Sequence, residues 1–313
     1  MSNSTRISTF LLAGLSSCSH CQNAIFTLFL LVYVFTLLEN LAIIALILRD
    51  PKLWKPMYIF VGNLSFLEVW YISITLPNVL ANIMTGNREI SYAGCITQLF
   101  TFTFLGATEC YLLATMAYDR YVAICYPLRY TVLMQDKYVL SLLIVSWLTG
   151  FATPILPIWF LIQLNFCGTN EIDHYFCDVS PLLKLACGNI KLKEIVDLIV
   201  SVFVLVSSML VIFISYICIA WAILKMPSSK VRYKAFSTCA SHLAVVCVYY
   251  GSMSFTYIRV DSASPGSTNK LVSVLYSVIT PMLNPLIYTL RNKDVRQAIQ
   301  KNFSKPKGSK LGL

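Results

Sequence analysis

Three carboxylates, Glu39, Glu68 and Glu109, stand inside stretches that otherwise hold almost nothing ionisable, and an acid and a base, Asp119 and Arg120, adjoin in MAYDRYVAICYPLRY at 116–130. Acids in apolar surroundings are costly, so such positions are where polar ligands, ions or protons are handled. An adjacent acid and base can make a charge-assisted contact. Cys95, Cys167, Cys177 and Cys187 form a second group. In an oxidising compartment they make two disulfides. Zinc held with His174 is the alternative, but that loop has no CxxC pair and no close His pair. The chain has no HExxH and no GxSxG, and its histidines are His20, His174 and His242 alone. Hydrolytic and metalloenzyme chemistry therefore lack their groups.

The elements that carry these residues are apolar. The 313 residues are 57% hydrophobic and 12% charged, with a mean hydropathy of +0.70, which fits lipid better than water. A hydrocarbon core about 30 Å thick takes about 20 apolar residues per helix. Seven runs of that kind are expected at Ala24–Leu48, Tyr58–Met84, Ile96–Ala117, Tyr138–Leu164, Ile195–Leu224, Ala235–Ile258 and Leu271–Leu290. Nothing between Lys137 and Glu171 is charged, so no polar stripe marks a buried soluble helix. The fold class is an all-α membrane protein, a seven-transmembrane helix bundle forming one domain over 1–313. Residues 1–23 form an extracellular N-terminus, 24–290 the bundle and 291–313 a cytoplasmic tail.

Orientation follows from the basic residues. Of the 24 Lys and Arg, 17 fall in the connections that share a side with the tail, which makes that side cytoplasmic. The net charge of +10 is thus an orientation signal, and scattered over short loops it supports no nucleic-acid partner. The first run is too long for a signal-peptide core and reads as an anchor. Asn3 in Asn3-Ser4-Thr5 is a glycosylation acceptor in the outer tail. Behind the seventh run, Val295, Ala298, Ile299 and Phe303 alternate with Arg296, Lys301 and Lys305, the pattern of a short amphipathic helix on the inner leaflet.

On a helix of 3.6 residues per turn, Phe102, Gly106, Glu109 and Arg120 fall in a stripe roughly 60° wide. The 18 steps from Phe102 to Arg120 cover about 27 Å, nearly one hydrocarbon thickness. One face of the third run therefore joins the outer half of the bundle to its cytoplasmic end. Glu109 falls near mid-membrane, where it must meet Glu68, Asn40, Asn284, water or a cation, or be neutral. Loop acids Glu171, Asp173 and Asp178, with Lys184, read as solvated, as do Asp197 and Asp261 at the outer rim. The other tail and span cysteines, Cys18 and Cys21 included, read as packing thiols. In the seventh run, Pro281 and Pro285 remove backbone donors and predict a kink. A secondary transporter using Glu68 and Glu109 as an ion or proton relay is the competing function, against which no repeat or pair of broken helices is visible.

MAYDRYVAICYPLRY (116–130), PMYIF (56–60), KAFSTCASHL (234–243) and PMLNPLIYTLRNKDV (281–295) resemble the odorant receptors of the rhodopsin-like G-protein-coupled class. The loop NFCGTNEIDHYFCDVSPLLKLAC (165–187) is similar as well, so the likeness covers most of the chain. It implies a plasma-membrane receptor of olfactory sensory cilia, binding a small-molecule odorant and coupling to a heterotrimeric stimulatory G protein that raises cyclic AMP. It also implies bridges Cys95–Cys177 and Cys167–Cys187, no cofactor, and, with Glu68 where the family usually has Asp, an open question of a sodium ion near Glu68 and Glu109. Glu39-Asn40 and Tyr249-Tyr250-Gly251 are further departures.

By resemblance, Asp119 holds Arg120 at rest, and an outward swing of the sixth helix frees Arg120 toward Tyr216 and Tyr288. Tyr121, Lys234, His242 and Asn284 complete the switch set. The ligand face is expected at Phe102, Thr103, Gly106, Ala107 and Cys110 on the third run and Ser201 and Val204 on the fifth. Met253, Ser254 and Tyr257 on the sixth and Val274 and Ser277 on the seventh complete it. Such a lining, apolar with a few hydroxyls, favours a small hydrophobic molecule held by one or two hydrogen bonds. No acid lies between Cys95 and Glu109 and no lysine lies in the seventh run, so amine and retinal recognition have no anchor.

Overall fold

The computed structural model describes residues 8–15, 21–167, 169–258, 266–290, 295, 297 and 298, with backbone alone at some positions of the sixth and seventh helices. Within these residues the chain forms seven long helical segments, the fourth and fifth joined by a long loop between Ile162 and Lys191. The first helix is Gln22–Arg49, the second Pro56–Thr85 and the third Tyr92–Cys125. The fourth runs Asp136–Ala152 and resumes at Ile155–Ile162, broken where Pro154 has no N–H to donate. The fifth is Lys191–Leu224 and the sixth Ser229–Ile258. The seventh is Gly266–Val274, a π-turn at Leu275–Ile279, then Thr280–Leu290. Among the described residues, five of these helices are long and apolar enough to cross a membrane by length and composition, and His242–Met253 adds a shorter apolar run.

Two boundaries depart from the sequence expectation in ways that matter. The apolar third run ends at Ala117, but the helix carries Asp119 and Arg120, as the Phe102–Arg120 stripe requires, and runs on beyond them to Cys125. Tyr121, Val122 and Ala123 are as compatible with helix as the run before them, and two charges one turn from the end do not break it. The fifth helix begins at Lys191, four residues before the expected start, and takes in both Lys193 and Asp197. Asp197 is therefore no solvated rim charge. It is ion-paired with Lys193, one helical turn away, whose side chain is 2% exposed.

The third helix is the axis of the bundle. Its buried face runs from Cys95 to Val122 and includes Phe102, Gly106, Cys110, Leu113 and Ala117. The fourth helix packs against it at Gly150, where an added Cβ would stand 2.0 Å from Thr108 Oγ1 and 2.9 Å from Thr108 Cα. Lipid-facing positions are large and apolar, as Leu28, Leu38, Phe203 and Phe213 show by their exposure.

A small sheet covers one end. Strand β1 (Thr9–Leu12) lies between β2 (Glu89–Ser91), antiparallel, and a strand at Glu171–Ile172, parallel. Phe10 and Leu12 point into the bundle and are fully buried. A two-stranded ribbon, Asn165–Phe166 with Ala186–Cys187, carries the rest of the long loop. Disulfides join Cys95 to Cys177 and Cys167 to Cys187. Cys21 is also disulfide-bonded, which corrects its reading as a packing thiol; the bond's other half lies outside the described residues. Asn3, Asp261 and most of the amphipathic tail segment lie outside them too, while Val295 and Ala298 pack into the main core.

Candidate functional site

Three polar centres are strung along the third helix. At the sheet-covered end, three consecutive loop residues each meet one face of the seventh helix. Asp173 pairs with Lys270 at 2.7 Å, His174 Nε2 lies 3.1 Å from Ser273 Oγ, and Tyr175 Oη lies 2.9 Å from Ser277 Oγ. Partners at 270, 273 and 277 are spaced one turn apart, so an extended tripeptide reads one helix face. Asp173 is thus paired, not merely solvated. Asp178 accepts from Val179 N at 2.7 Å and caps the short helix Val179–Leu183. Burial pushes its carboxyl up to about 6. Burial and the nearby Lys270 ammonium push the His174 imidazole down to about 3, so it is neutral here.

Phe176 continues the plug inward. Its ring centroid lies 4.9 Å from that of Phe102, which also meets Tyr71 at 4.7 Å and Tyr276 at 5.9 Å. Gln98 fixes the loop from below, donating to Ile74 O at 2.8 Å and accepting from Cys177 N at 2.9 Å.

Beneath this plug lie several of the residues expected to touch ligand. Gly106 lets the sixth helix come close: an added Cβ would meet Tyr249 Oη at 3.6 Å and Met253 Cε at 3.8 Å, ordinary packing contacts. Tyr249 Oη donates to Gly106 O at 2.7 Å and lies 3.9 Å from Cys110 Sγ. Tyr250 Oη donates to Ser208 Oγ at 2.7 Å. Phe102, Gly106, Cys110, Met253 and Ser277 therefore border one region of the bundle, while Thr103 is turned to its own helix, donating to Leu99 O at 2.9 Å. Ala107 and Val204 are buried, and Ser201 and Val274 are half-buried. The side chains of Ser254 and Tyr257 lie outside the described residues.

The middle centre holds Glu68, Glu109 and Asn284, all essentially unexposed. Asn284 Nδ2 donates to Glu109 Oε1 at 3.0 Å and to Glu68 Oε1. Asn284, expected in the switch, thus bridges the two carboxylates. Asn40, expected among them, instead donates to Thr36 O at 2.9 Å and Pro281 O at 3.4 Å, tying the first helix to the proline turn of the seventh. One oxygen of each of Glu68 and Glu109 is buried without a hydrogen-bond partner, as are both oxygens of Glu39. That donor set has spare capacity for a sodium ion or water between Glu68 and Glu109. Among the described residues no group of three His, Cys, Asp or Glu is clustered tightly enough to hold a metal ion.

The third centre is the Asp119–Arg120 pair. Arg120 Nη2 and Nε reach Asp119 Oδ2 at 2.7 and 3.2 Å. Asp119 Oδ1 accepts from Tyr130 Oη at 2.7 Å. Burial and the Asp119 carboxylate push the Tyr130 phenol well above its usual range, which keeps it a donor. Tyr216 is engaged by His242, Oη to Nδ1 at 2.8 Å, and His242 Nε2 lies 3.1 Å from Leu113 O. A neutral His242 can accept from Tyr216 and donate to that carbonyl. Tyr121 stands apart from this set, its ring against Tyr118 and Tyr126. The side chains of Lys234 and Tyr288 lie outside the described residues.

Tyr130, Ser208, Gln98, Ser273, Tyr175 and Phe176 are among the site residues that spacing did not reveal. Tyr130 is 11 residues from Asp119 beyond a helix end, where no periodicity applies.

Seven helices about a polar axis, a disulfide-pinned loop at one end and an acid–arginine pair at the other define a seven-transmembrane receptor of the G-protein-coupled class. The chain belongs to the olfactory receptor family, whose profile matches residues 29–306. It is 51% identical over 304 residues to Olfactory receptor 6Q1 of Homo sapiens, covering 96% of each chain. Olfactory receptor 6B9 of Mus musculus is 46% identical over 312 residues, 100% of this chain and 99% of its own. Olfactory receptor 226 of Rattus norvegicus is 45% identical over 306 residues, 96% and 93% of the two chains.

Proposed function

We propose that the chain takes a small, mostly hydrophobic volatile beneath the loop plug and answers by activating a stimulatory G protein, raising cyclic AMP. The N-terminus is extracellular, the tail cytoplasmic, and the working location the cilium of an olfactory sensory neuron. What carries the reading is one helix: Gly106, packed against Tyr249 and Met253, shares a rigid rod with Arg120, held by Asp119. The ligand lies against Phe102, Gly106, Ala107 and Cys110, with Ser201, Val204, Met253, Ser254, Tyr257, Val274 and Ser277 around it. Ser277 and the tyrosine hydroxyls supply the hydrogen bonds, and the rest supplies apolar contact.

Activation in this reading breaks the Asp119–Arg120 contact as the sixth helix moves, and His242 releases Tyr216. Freed Arg120, Tyr216 and Tyr288 then face the incoming G-protein helix, with Tyr121 and Lys234 at its rim. The test is cyclic AMP in cells expressing the chain with a stimulatory G protein, challenged with volatiles of graded length and head group. A concentration-dependent rise, abolished by Arg120→Ala at equal surface expression, is the expected result. A response that survives Arg120→Ala removes the catch from the mechanism, and silence across the panel removes the ligand class.

A further inference from the structure

Two side chains of the sixth helix meet backbone carbonyls of the third, and the two ties share one spacing. His242 Nε2 lies 3.1 Å from Leu113 O, and Tyr249 Oη donates to Gly106 O at 2.7 Å. Positions 242 and 249 are seven apart, as are 106 and 113, and the pairing runs antiparallel. Each tie therefore stands two turns, about 10 Å, from the other along both rods. The lower tie adjoins the switch, where His242 also engages Tyr216. The upper tie takes no part in the switch as described.

Tyr249 is placed for this contact through its hydroxyl and not only through its ring. Its side chain is fully buried, and both capacities of the hydroxyl go to the third helix. The O–H goes to Gly106 O, and the oxygen faces the Cys110 thiol at 3.9 Å, one turn along. Tyr250, next in sequence, donates to Ser208 Oγ at 2.7 Å and lies 3.4 Å from Cys110 O, so it serves the fifth helix first. Tyr249 also opens the Tyr249-Tyr250-Gly251 stretch that departs from the family pattern, so the family motif does not supply this tie.

We propose that Tyr249 is a positioning residue for activation, its bond to Gly106 holding the sixth helix in the resting register two turns above the switch. With two ties at matched spacing, the sixth helix cannot slide or roll along the third without breaking both. An outward tilt at the Arg120 end loads the upper tie once the lower one parts. This rests on the reading that the sixth helix moves. Removing the Tyr249 hydroxyl leaves Gly106 O with its intrahelical bond, so no buried acceptor is stranded and the resting arrangement loses one neutral hydrogen bond.

Cys239 reports that movement without ligand or G protein. It is a free thiol, buried on the sixth helix three residues before His242 and near Arg120. The full-length receptor in phosphatidylcholine nanodiscs is treated with N-ethylmaleimide, and alkylation of each thiol is followed by peptide mass spectrometry. Tyr249→Phe should raise the Cys239 rate about twofold to tenfold, the range of one neutral hydrogen bond, and leave buried Cys110 protected. Tyr249→Met, a second side chain without a hydroxyl, should act the same way. Basal cyclic AMP in expressing cells should rise in step at equal surface expression. An unchanged Cys239 rate in either folded variant overturns the proposal. So does Cys110 labelling that rises with Cys239, because that is general loosening. Faster Cys239 labelling with no rise in cyclic AMP supports the tie and counts against the stimulatory G protein instead.

Discussion

Tyr130 Oη donates to Asp119 Oδ1 across 2.7 Å, while Arg120 occupies the other oxygen of the same carboxylate. The acid is therefore gripped from two sides, once within the third helix and once from the loop beyond it. A hydrogen bond to a charged group contributes about 1.5 to 3 kcal/mol. Tyr130→Phe removes one of the two without disturbing Arg120. If the pair restrains the resting state, this variant should raise ligand-independent cyclic AMP severalfold at matched surface expression. Unchanged basal signalling would mean that Tyr130 only anchors its loop.

Gly150 marks the tightest helix approach among the described glycines. A methyl group there would stand 2.0 Å from Thr108 Oγ1 and 2.9 Å from the Thr108 backbone, so both the side chain and the helix must yield. Overpacking of this kind costs about 1 to 3 kcal/mol. Gly150→Ala should lower the melting temperature of the purified receptor by several degrees. Adding Thr108→Ala should restore only part of the loss, since the methyl group would still press on the backbone of the third helix.

The loop plug carries two groups whose titrations oppose one another. Folded His174 titrates near 3 against 6.5 for the free side chain, so the unfolded state binds the extra proton between those values. Its contribution is lost as pH falls below about 6.5. Folded Asp178 titrates near 6 against 3.8, so here the folded state holds the extra proton and the contribution is lost as pH rises through that window. Above pH 6.5 neither group changes. Thermal unfolding should be insensitive to both groups from pH 7 to 8 and begin to fall below 6.5, with the two slopes offsetting between 6 and 4. In His174→Asn the Asp178 effect stands alone, and stability should rise from pH 6.5 to 5 relative to the parent. A parallel decline in parent and variant would exclude His174 as the cause.

The helices were legible because a run of about 20 apolar residues has few other uses, and the motifs at 116–130 and 281–295 identified the family from residue type alone. What escaped was contact between distant segments. No local pattern pairs Asp173, His174 and Tyr175 with residues 97 to 102 positions away, because an irregular loop has no period. The third helix ran on to Cys125 because composition locates the end of the apolar run, whereas helix ends are set by hydrogen bonding. Asn284 is named both for the switch and as a partner of Glu109, and its amide bridges Glu68 and Glu109; which of the candidate partners it meets is a matter of helix rotation that sequence does not specify.

Asn284 offers the sharpest test of what those two acids do. Its single Nδ2 serves one oxygen on each carboxylate, and the second oxygen of each is buried without a partner. Asn284→Ala strips both acids of their donor, and Asn284→Asp places a third acid against them. A buried acceptor left without its hydrogen-bond donor costs about 1 to 3 kcal/mol. Both variants should reach the cell surface poorly, and Asn284→Asp should be the worse if no cation lies between the acids. Should a sodium ion sit there, the added carboxylate would be a further ligand: Asn284→Asp would then be the milder change, and its melting temperature would climb with sodium but not with choline chloride. The order of the two variants, measured with and without sodium, thus decides whether the centre is a hydrogen-bonded strut or an ion site.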